Sequence, residues 1–149
     1  MVKGGLPALA FDTPLWIHWV EQNRRFLPAV APLVKDLAGG RIVVVTSILA
    51  MVEILTGVFA KGDELRARRY RDLFDGTEGI VVLEVDRAIG EGAARLRARY
   101  GLRTPDAIHL ATAVAARASA FVTTDRRLAR VRELDVRVLR PAPAHRKGA

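Results

Sequence analysis

The sequence lacks cysteine and any long apolar run. None of its 149 residues is cysteine, which excludes disulfides, thiolate zinc sites, iron–sulfur clusters and cysteine nucleophiles. Its longest apolar stretch covers residues 42–56. Two hydroxyl residues and Glu53 interrupt that stretch, and it is too short to span a bilayer. The first residues also lack the apolar segment and cleavage site of a secretory signal. These absences predict a cytoplasmic protein without a membrane span.

Acidic residues are fewer than basic ones. There are 24 Lys and Arg against 16 Asp and Glu, so the formal net charge is +8. Such an excess favours an anionic partner such as nucleic acid or a membrane surface. A GC-biased coding sequence explains the excess equally well, because Arg outnumbers Lys 20 to 4. Half of the residues are hydrophobic, which predicts one folded domain over residues 1–140 and a polar basic tail over 141–149.

Apolar runs alternate with helix-spaced segments along the chain. The runs at 42–46, 80–83 and 120–123 are typical of strands that are covered on both faces, and shorter runs at 8–11 and 136–139 predict two more. N-caps are predicted at Ser47, Asp86 and Thr104. Helices are expected at 15–23, 27–38, 48–60, 63–74, 86–100, 106–118 and 125–131. This alternation predicts an α/β fold with a mainly parallel sheet and helices on both faces.

Four carboxylates occupy unusual positions in this pattern. Asp12 and Asp125 follow strands, so both are expected at the carboxyl edge of the sheet, where ligands bind in such folds. Glu53 lies in a helix that is apolar almost all round, which predicts that it is buried. Asp106 opens a helix whose next turn is apolar. Taken together, the four acids are predicted to gather at one end of one sheet.

Each of these acids also has a purely structural explanation. Asp12 and Asp125 could cap the helices that follow them, and Asp106 suits the positive end of a helix dipole. Glu53 could reach a helix edge or pair with a buried arginine. His109 is more readily explained as a helix-face residue than as an acid–base group.

A gathered set of carboxylates requires cations, because like charges at close range repel. Oxygen ligands without cysteine or paired histidine favour Mg²⁺ or Mn²⁺ over zinc. Carboxylate sites for such metals typically serve phosphoryl chemistry. The acids therefore predict a divalent-metal site that acts on phosphate esters.

An ordered set of short motifs resembles the PIN-domain nucleases, and more narrowly the VapC-like toxins of type II toxin–antitoxin systems. The most specific motif is the segment 100–113, YGLRTPDAIHLATA. The resemblance extends over residues 8–139 and also includes the segments 11–13, 46–49, 53–57 and 121–125. It implies a three-layer α/β/α domain around a parallel sheet.

The resemblance also implies site residues and partners. Asp12, Glu53, Asp106 and Asp125 would form the acidic metal site, and Thr13 and Thr123 would support it. The implied activity is endonucleolytic cleavage of RNA by metal-activated water, with Mg²⁺ or Mn²⁺ as cofactor. The implied partners are an RNA substrate, a cognate antitoxin and a second copy of the chain in a homodimer.

Two positions depart from the family pattern, which often has asparagine where this chain has Pro14 and Thr124. Neither departure removes a carboxylate. Three arginines beside the fourth acid are candidates to hold the RNA backbone, namely Arg126, Arg127 and Arg130. The alternative is a non-catalytic PIN-like module that binds RNA or protein, and metal-dependent RNA cleavage distinguishes the two.

The apolar segment 15–20 follows the first strand. Its aromatic residues at helical spacing favour core packing. A dimer or antitoxin surface is the other interpretation, because aromatic residues are enriched at interfaces.

Overall fold

A computed structural model describes residues 5–144, in which a five-stranded sheet lies between two layers of helices. The strand order is β3-β2-β1-β4-β5, and every neighbouring pair is parallel. The strands are β1 (Ala8–Phe11), β2 (Val43–Ser47), β3 (Ile80–Leu83), β4 (Ala120–Thr123) and β5 (Val136–Val138). The predicted α/β class with a parallel sheet is therefore confirmed. Residues 145–149 of the predicted tail lie outside the described residues.

Within residues 5–144, six α-helices and one 3₁₀ helix connect the strands. They are α1 (Thr13–Val20), α2 (Leu27–Ala38), α3 (Ile48–Ala60), α4 (Glu64–Gly76), α5 (Arg87–Tyr100), α6 (Thr104–Ala115) and the 3₁₀ helix Arg126–Arg130. The predicted caps at Ser47 and Asp86 accept hydrogen bonds from the amides of Leu49 and Ile89. Gly101 ends α5 with φ +65°, a left-handed conformation that glycine adopts without strain.

The sheet separates two hydrophobic cores. Leu9 and Phe11 point from β1 into one core, with α1 to α4 around them, and Ala10 points into the other, beneath α5 and α6. Trp16 is buried in the first core, where its ring centroid lies 5.2 Å from that of Phe11. Trp16 and Leu15 are thus core residues, as the helical spacing predicted.

Several local predictions were wrong. β3 is only half-buried, because it is an edge strand that pairs with β2 alone. Helix α3 is not buried all round: one stripe faces the core, while Val52 and Phe59 are 57% and 46% exposed. Helix α6 covers Thr104–Ala115 instead of 106–118, and its N-cap is Arg103 rather than Thr104. The Arg103 side chain pairs with Asp106 in the first turn.

No helix within residues 5–144 is both long and apolar enough to cross a membrane.

Candidate functional site

The candidate site lies where the strand order reverses. The chain passes from β1 to β2 on one side, and later returns to place β4 on the other side of β1. In open parallel sheets this reversal leaves a crevice beyond the carboxyl ends of the strands. Asp12 follows β1, Thr123 ends β4, and α3 starts directly after β2.

Asp12 is the buried carboxylate of this crevice, with 6% of its surface exposed. One oxygen accepts the Thr13 amide at 2.9 Å, and the other accepts the Thr123 hydroxyl at 2.7 Å. Burial raises the pKa of Asp12, and the hydrogen bond from Thr123 opposes that rise. Asp12 does cap α1, which was the purely structural explanation for an aspartate at this position. Capping does not account for the second oxygen, which a residue 111 positions away in sequence holds in place.

Thr123 joins two of the four acids. Its hydroxyl donates to Asp12 and accepts the amide of Asp125 at 3.0 Å. Asp125 in turn caps the 3₁₀ helix by accepting the amide of Arg127. The guanidinium of Arg127 donates to both oxygens of Asp125, at 3.0 and 2.7 Å. This pairing lowers the pKa of Asp125. One of the three arginines predicted to hold RNA therefore binds a site carboxylate in this conformation.

Glu53 is not buried as predicted, because its side chain is 37% exposed. It lies beside the inward-facing stripe of α3, which includes Ala50 and Ile54. One oxygen, Oε1, accepts the Thr13 hydroxyl at 2.9 Å and lies 2.5 Å from Nε2 of His109. The hydrogen bond with His109 is the main cause of a lowered pKa for Glu53. The residue predicted as a supporting hydroxyl, Thr13, thus contacts both Asp12 and Glu53.

His109 is the main site residue that sequence reasoning left aside. Its side chain is 2% exposed and lies on the inner face of α6, towards Glu53. Nε2 also lies 3.2 Å from the Thr13 hydroxyl. Residues three apart share one face of a helix, so the position of His109 three residues after Asp106 was a usable signal.

Asp106 and Arg103 complete the neighbourhood. Asp106 is 14% exposed, and one of its oxygens accepts from Arg103 Nε at 3.1 Å. The charge of Asp106 helps to raise the pKa of Asp12. The charge of Arg103 helps to lower the pKa values of Glu53 and Asp125. Arg103 therefore acts on three of the four acids, although the sequence analysis did not single it out.

The donor chemistry of the site fits a hard divalent cation. All four acids offer carboxylate oxygens, which suit Mg²⁺ or Mn²⁺. Within residues 5–144, no three His, Asp or Glu side chains are arranged as a ready cluster for a metal ion. Two of the four acids are instead paired with arginines, Asp106 with Arg103 and Asp125 with Arg127.

A narrow groove of about 140 Å³ runs from Glu53 between α1, α3 and α4. Gly57 and Lys61 line it, together with Arg66, which is paired with Glu21 and Asp63. A larger apolar groove of about 420 Å³ lies between α5 and α6, lined by residues such as Leu96 and Val114. None of the four acids lines this second groove.

Comparisons with known proteins give one family and one fold. The family model of the PIN domain matches residues 9–134. A toxin–antitoxin complex from Klebsiella pneumoniae matches with 22% identity and a TM-score of 0.62, over 85% of this chain and 94% of that chain. VapBC2 from Rickettsia felis, bound to a DNA fragment from its promoter, matches with 14% identity and a TM-score of 0.68, over 89% and 98%. VapBC-1 from nontypeable Haemophilus influenzae matches with 20% identity and a TM-score of 0.66, over 88% and 97%. No curated protein matches the chain.

Proposed function

The chain belongs to the PIN-domain family, and from this premise we propose that it is a metal-dependent endoribonuclease and the toxin of a type II toxin–antitoxin pair. The observation that carries the proposal is the burial and fixed orientation of the Asp12 carboxylate. This carboxylate is buried at the carboxyl edge of the sheet, and both of its oxygens are fixed by hydrogen bonds. A carboxylate whose pKa is raised by burial in a cleft is a mark of a functional site. The neighbouring acids supply the rest of an oxygen donor set.

The four acids would hold Mg²⁺ or Mn²⁺, with Asp12 as the fixed ligand. A cation held there would activate water and neutralise charge that develops on the scissile phosphate. Thr123 keeps the Asp12 carboxylate in one orientation, and Thr13 and His109 do the same for Glu53. Asp106 and Asp125 would become ligands once Arg103 and Arg127 release them.

Three arginines beside Asp125 would then bind the RNA backbone, and one of them, Arg127, is the arginine that Asp125 releases. Arg126, Arg127 and Arg130 are exposed beside Asp125. Guanidinium groups bind phosphate in the same bidentate manner as carboxylate. Arg127 thus exchanges an internal carboxylate for a backbone phosphate.

The proposed protein partners are a cognate antitoxin and a second copy of the chain. All three solved structures described above are named as toxin–antitoxin or VapBC complexes, and this supports an antitoxin partner. The exposed apolar residues of α3, Val52 and Phe59, offer contact surface. The cytoplasmic location predicted from the sequence belongs to the same proposal.

The test is RNA cleavage by purified chain with Mg²⁺, with EDTA, and with Asp12→Asn. We expect cleavage only with the metal, and a loss of at least about a hundredfold in the variant, since one fixed ligand is removed. Asp36→Asn is the matched control, because Asp36 pairs with Arg41 near the start of β2, at the opposite edge of the sheet. RNA binding without metal-dependent cleavage would favour the non-catalytic module instead.

A further inference from the structure

His109 and Glu53 form a contact that the four-carboxylate site does not account for. The histidine ring is almost fully buried, yet it lies against a carboxylate that is one-third exposed. The contact joins α6 to α3 across the crevice, between residues 56 positions apart in sequence. We propose that His109 is a positioning residue that fixes Glu53 for metal binding through its Nε2–H group. This inference rests on the proposed function.

The arrangement of donors around Glu53 supports this role. Both Thr13 Oγ1 and His109 Nε2 approach the same oxygen, Oε1, at 2.9 and 2.5 Å. Neither of these two hydrogen bonds involves the second carboxylate oxygen of Glu53, Oε2. A glutamate on a half-exposed helix face otherwise samples several rotamers. The two donors hold one oxygen and leave the other available to a cation, as supporting residues do for metal-ligating carboxylates.

The two ring nitrogens of His109 have different surroundings. Nε2 faces the Glu53 carboxylate and the Thr13 hydroxyl. Nδ1 is buried and has no hydrogen-bond partner among residues 5–144. An ionised carboxylate only accepts hydrogen bonds, so the proposed role requires the proton on Nε2. The opposite tautomer would direct a lone pair at the carboxylate and bury an unpaired N–H group, which is costly.

Helix α6 therefore contributes twice to the site. Its first turn carries Asp106, and the next turn carries His109 on the same face. Because both residues belong to one rigid helix, the position of Glu53 relative to Asp106 is set through His109. Thr13 performs the corresponding task from the start of α1, where its amide also holds Asp12.

Histidine-ring nitrogen NMR on the metal-free protein tests the contact itself. We expect the Nε2–H tautomer for His109, assigned by its loss in His109→Gln. In Glu53→Gln we expect the Nε2 proton signal to shift or to exchange faster with water. Detection of the Nδ1–H tautomer would overturn the proposal, whether or not the protein binds metal.

Mn²⁺ affinity, measured by isothermal titration calorimetry, tests the positioning role. The amide nitrogen of glutamine reaches the place of Nε2, whereas that of asparagine reaches the place of Nδ1. We expect His109→Gln to stay within about threefold of the unaltered chain, and His109→Asn to bind about tenfold or more weakly, as for other residues that support metal ligands. His18→Gln is the control, because that ring stacks on Phe26 outside the site.

The outcomes separate the two proposals. Equal Mn²⁺ affinities for His109→Gln and His109→Asn would overturn the role of His109 and leave the nuclease proposal standing. An unaltered chain that neither binds Mn²⁺ nor cleaves RNA would overturn the nuclease proposal, and with it the metal-directed role of His109. Thermal unfolding of each variant shows whether it is folded. Where a variant is not, the tautomer of His109 in the unaltered chain decides the proposal, because that measurement needs no folded variant in the calorimeter.

Discussion

Replacing Thr123 by valine removes one hydroxyl group and almost nothing else. The two side chains have nearly the same shape, and Thr123 is fully buried. The hydroxyl donates to Asp12 at 2.7 Å and accepts the amide of Asp125 at 3.0 Å. Thr123→Val therefore leaves a buried carboxylate with one hydrogen bond fewer, and a backbone amide without its protein partner.

The expected loss of stability follows from these two contacts. A hydrogen bond to a charged group contributes about 1.5–3 kcal/mol. The amide of Asp125 adds at most about 1 kcal/mol, because this residue is partly exposed and water can replace the hydroxyl. The free energy of unfolding should thus fall by about 1.5–4 kcal/mol, which for a chain of this length lowers the melting temperature by about 3–16 °C.

The loss should depend on pH in a defined direction. The bond from Thr123 lowers the pKa of Asp12 against the effect of burial, so it favours the ionised carboxylate. Its contribution is present where Asp12 is ionised and is lost as the pH falls through the pKa of Asp12 in the folded state. In an Asp12→Asn background, where no charge is present at any pH, Thr123→Val should cost clearly less.

Urea unfolding in EDTA, at neutral and at acidic pH, measures both effects. Thr112→Val is the matched control, because Thr112 is equally buried but donates only to the carbonyl of Ile108 within its own helix. Such a bond adds little to stability, so the control should lose less than about 1 kcal/mol. Equal losses for the two valine variants, or a loss at Thr123 that grows on acidification, would show that the bond to ionised Asp12 does not stabilise the fold.

Three further predictions concern charge, backbone and cation binding. Burial raises the pKa of Asp12 above 3.8, so the folded state loses stability as the pH rises through that pKa. The free energy of unfolding of metal-free Asp12→Asn should therefore increase relative to that of the unaltered chain between pH 4 and pH 8. Urea unfolding that gives the same difference at both pH values would contradict this. Gly101→Ala should lower the free energy of unfolding by about 1 kcal/mol, because φ at this position is +65°. Gly90→Ala should raise it by up to about 1 kcal/mol, because Gly90 lies inside α5 with open space around it. Melting temperatures that shift in the same direction for both variants would contradict this. Arg127→Ala should tighten Mn²⁺ binding in calorimetry, because it frees the carboxylate that the guanidinium holds, and weaker binding than in the control Arg126→Ala would contradict it.

The sequence predicted strands and helix ends well where one local signal determines them. Ser47 and Asp86 cap their helices because their side chains accept nearby amides, and Gly101 ends α5 because glycine tolerates a positive φ. The strand-end positions of Asp12 and Asp125 were also readable, since carboxyl ends of parallel strands share one edge.

Burial was harder to predict, because it depends on neighbours distant in sequence. The apolar residues of α3 indicated a buried helix, yet only Ala50, Ile54 and Val58 face the core. For the same reason β3 looked like a covered strand, although its position at the sheet edge leaves it half-buried. Composition gives hydrophobicity, but it does not say how many elements surround a given face.

The partners of the four acids were the least predictable part. A histidine three residues after Asp106 and an arginine three residues before it are ordinary in a helix. The contact of His109 with Glu53 exists only because α3 and α6 meet at the crevice. Arg103 pairs with Asp106 within the first turn of α6, but the sequence does not show that this turn lies beside the other acids. The sequence could therefore predict which residue types gather, while the pairing among them needed the three-dimensional arrangement.

The hydrogen bond between Thr123 and Asp12 can form only late in the synthesis of the chain. Synthesis begins at the N-terminus, so Asp12 leaves the ribosome 111 residues before the hydroxyl that fixes its carboxylate. β4 must also emerge before it can be placed beside β1. A nascent or prematurely ended chain that stops short of Thr123 lacks both Thr123 and Asp125. For a protein proposed to cut RNA in the cell that makes it, the proposed site is thus complete only after most of the chain has been synthesised.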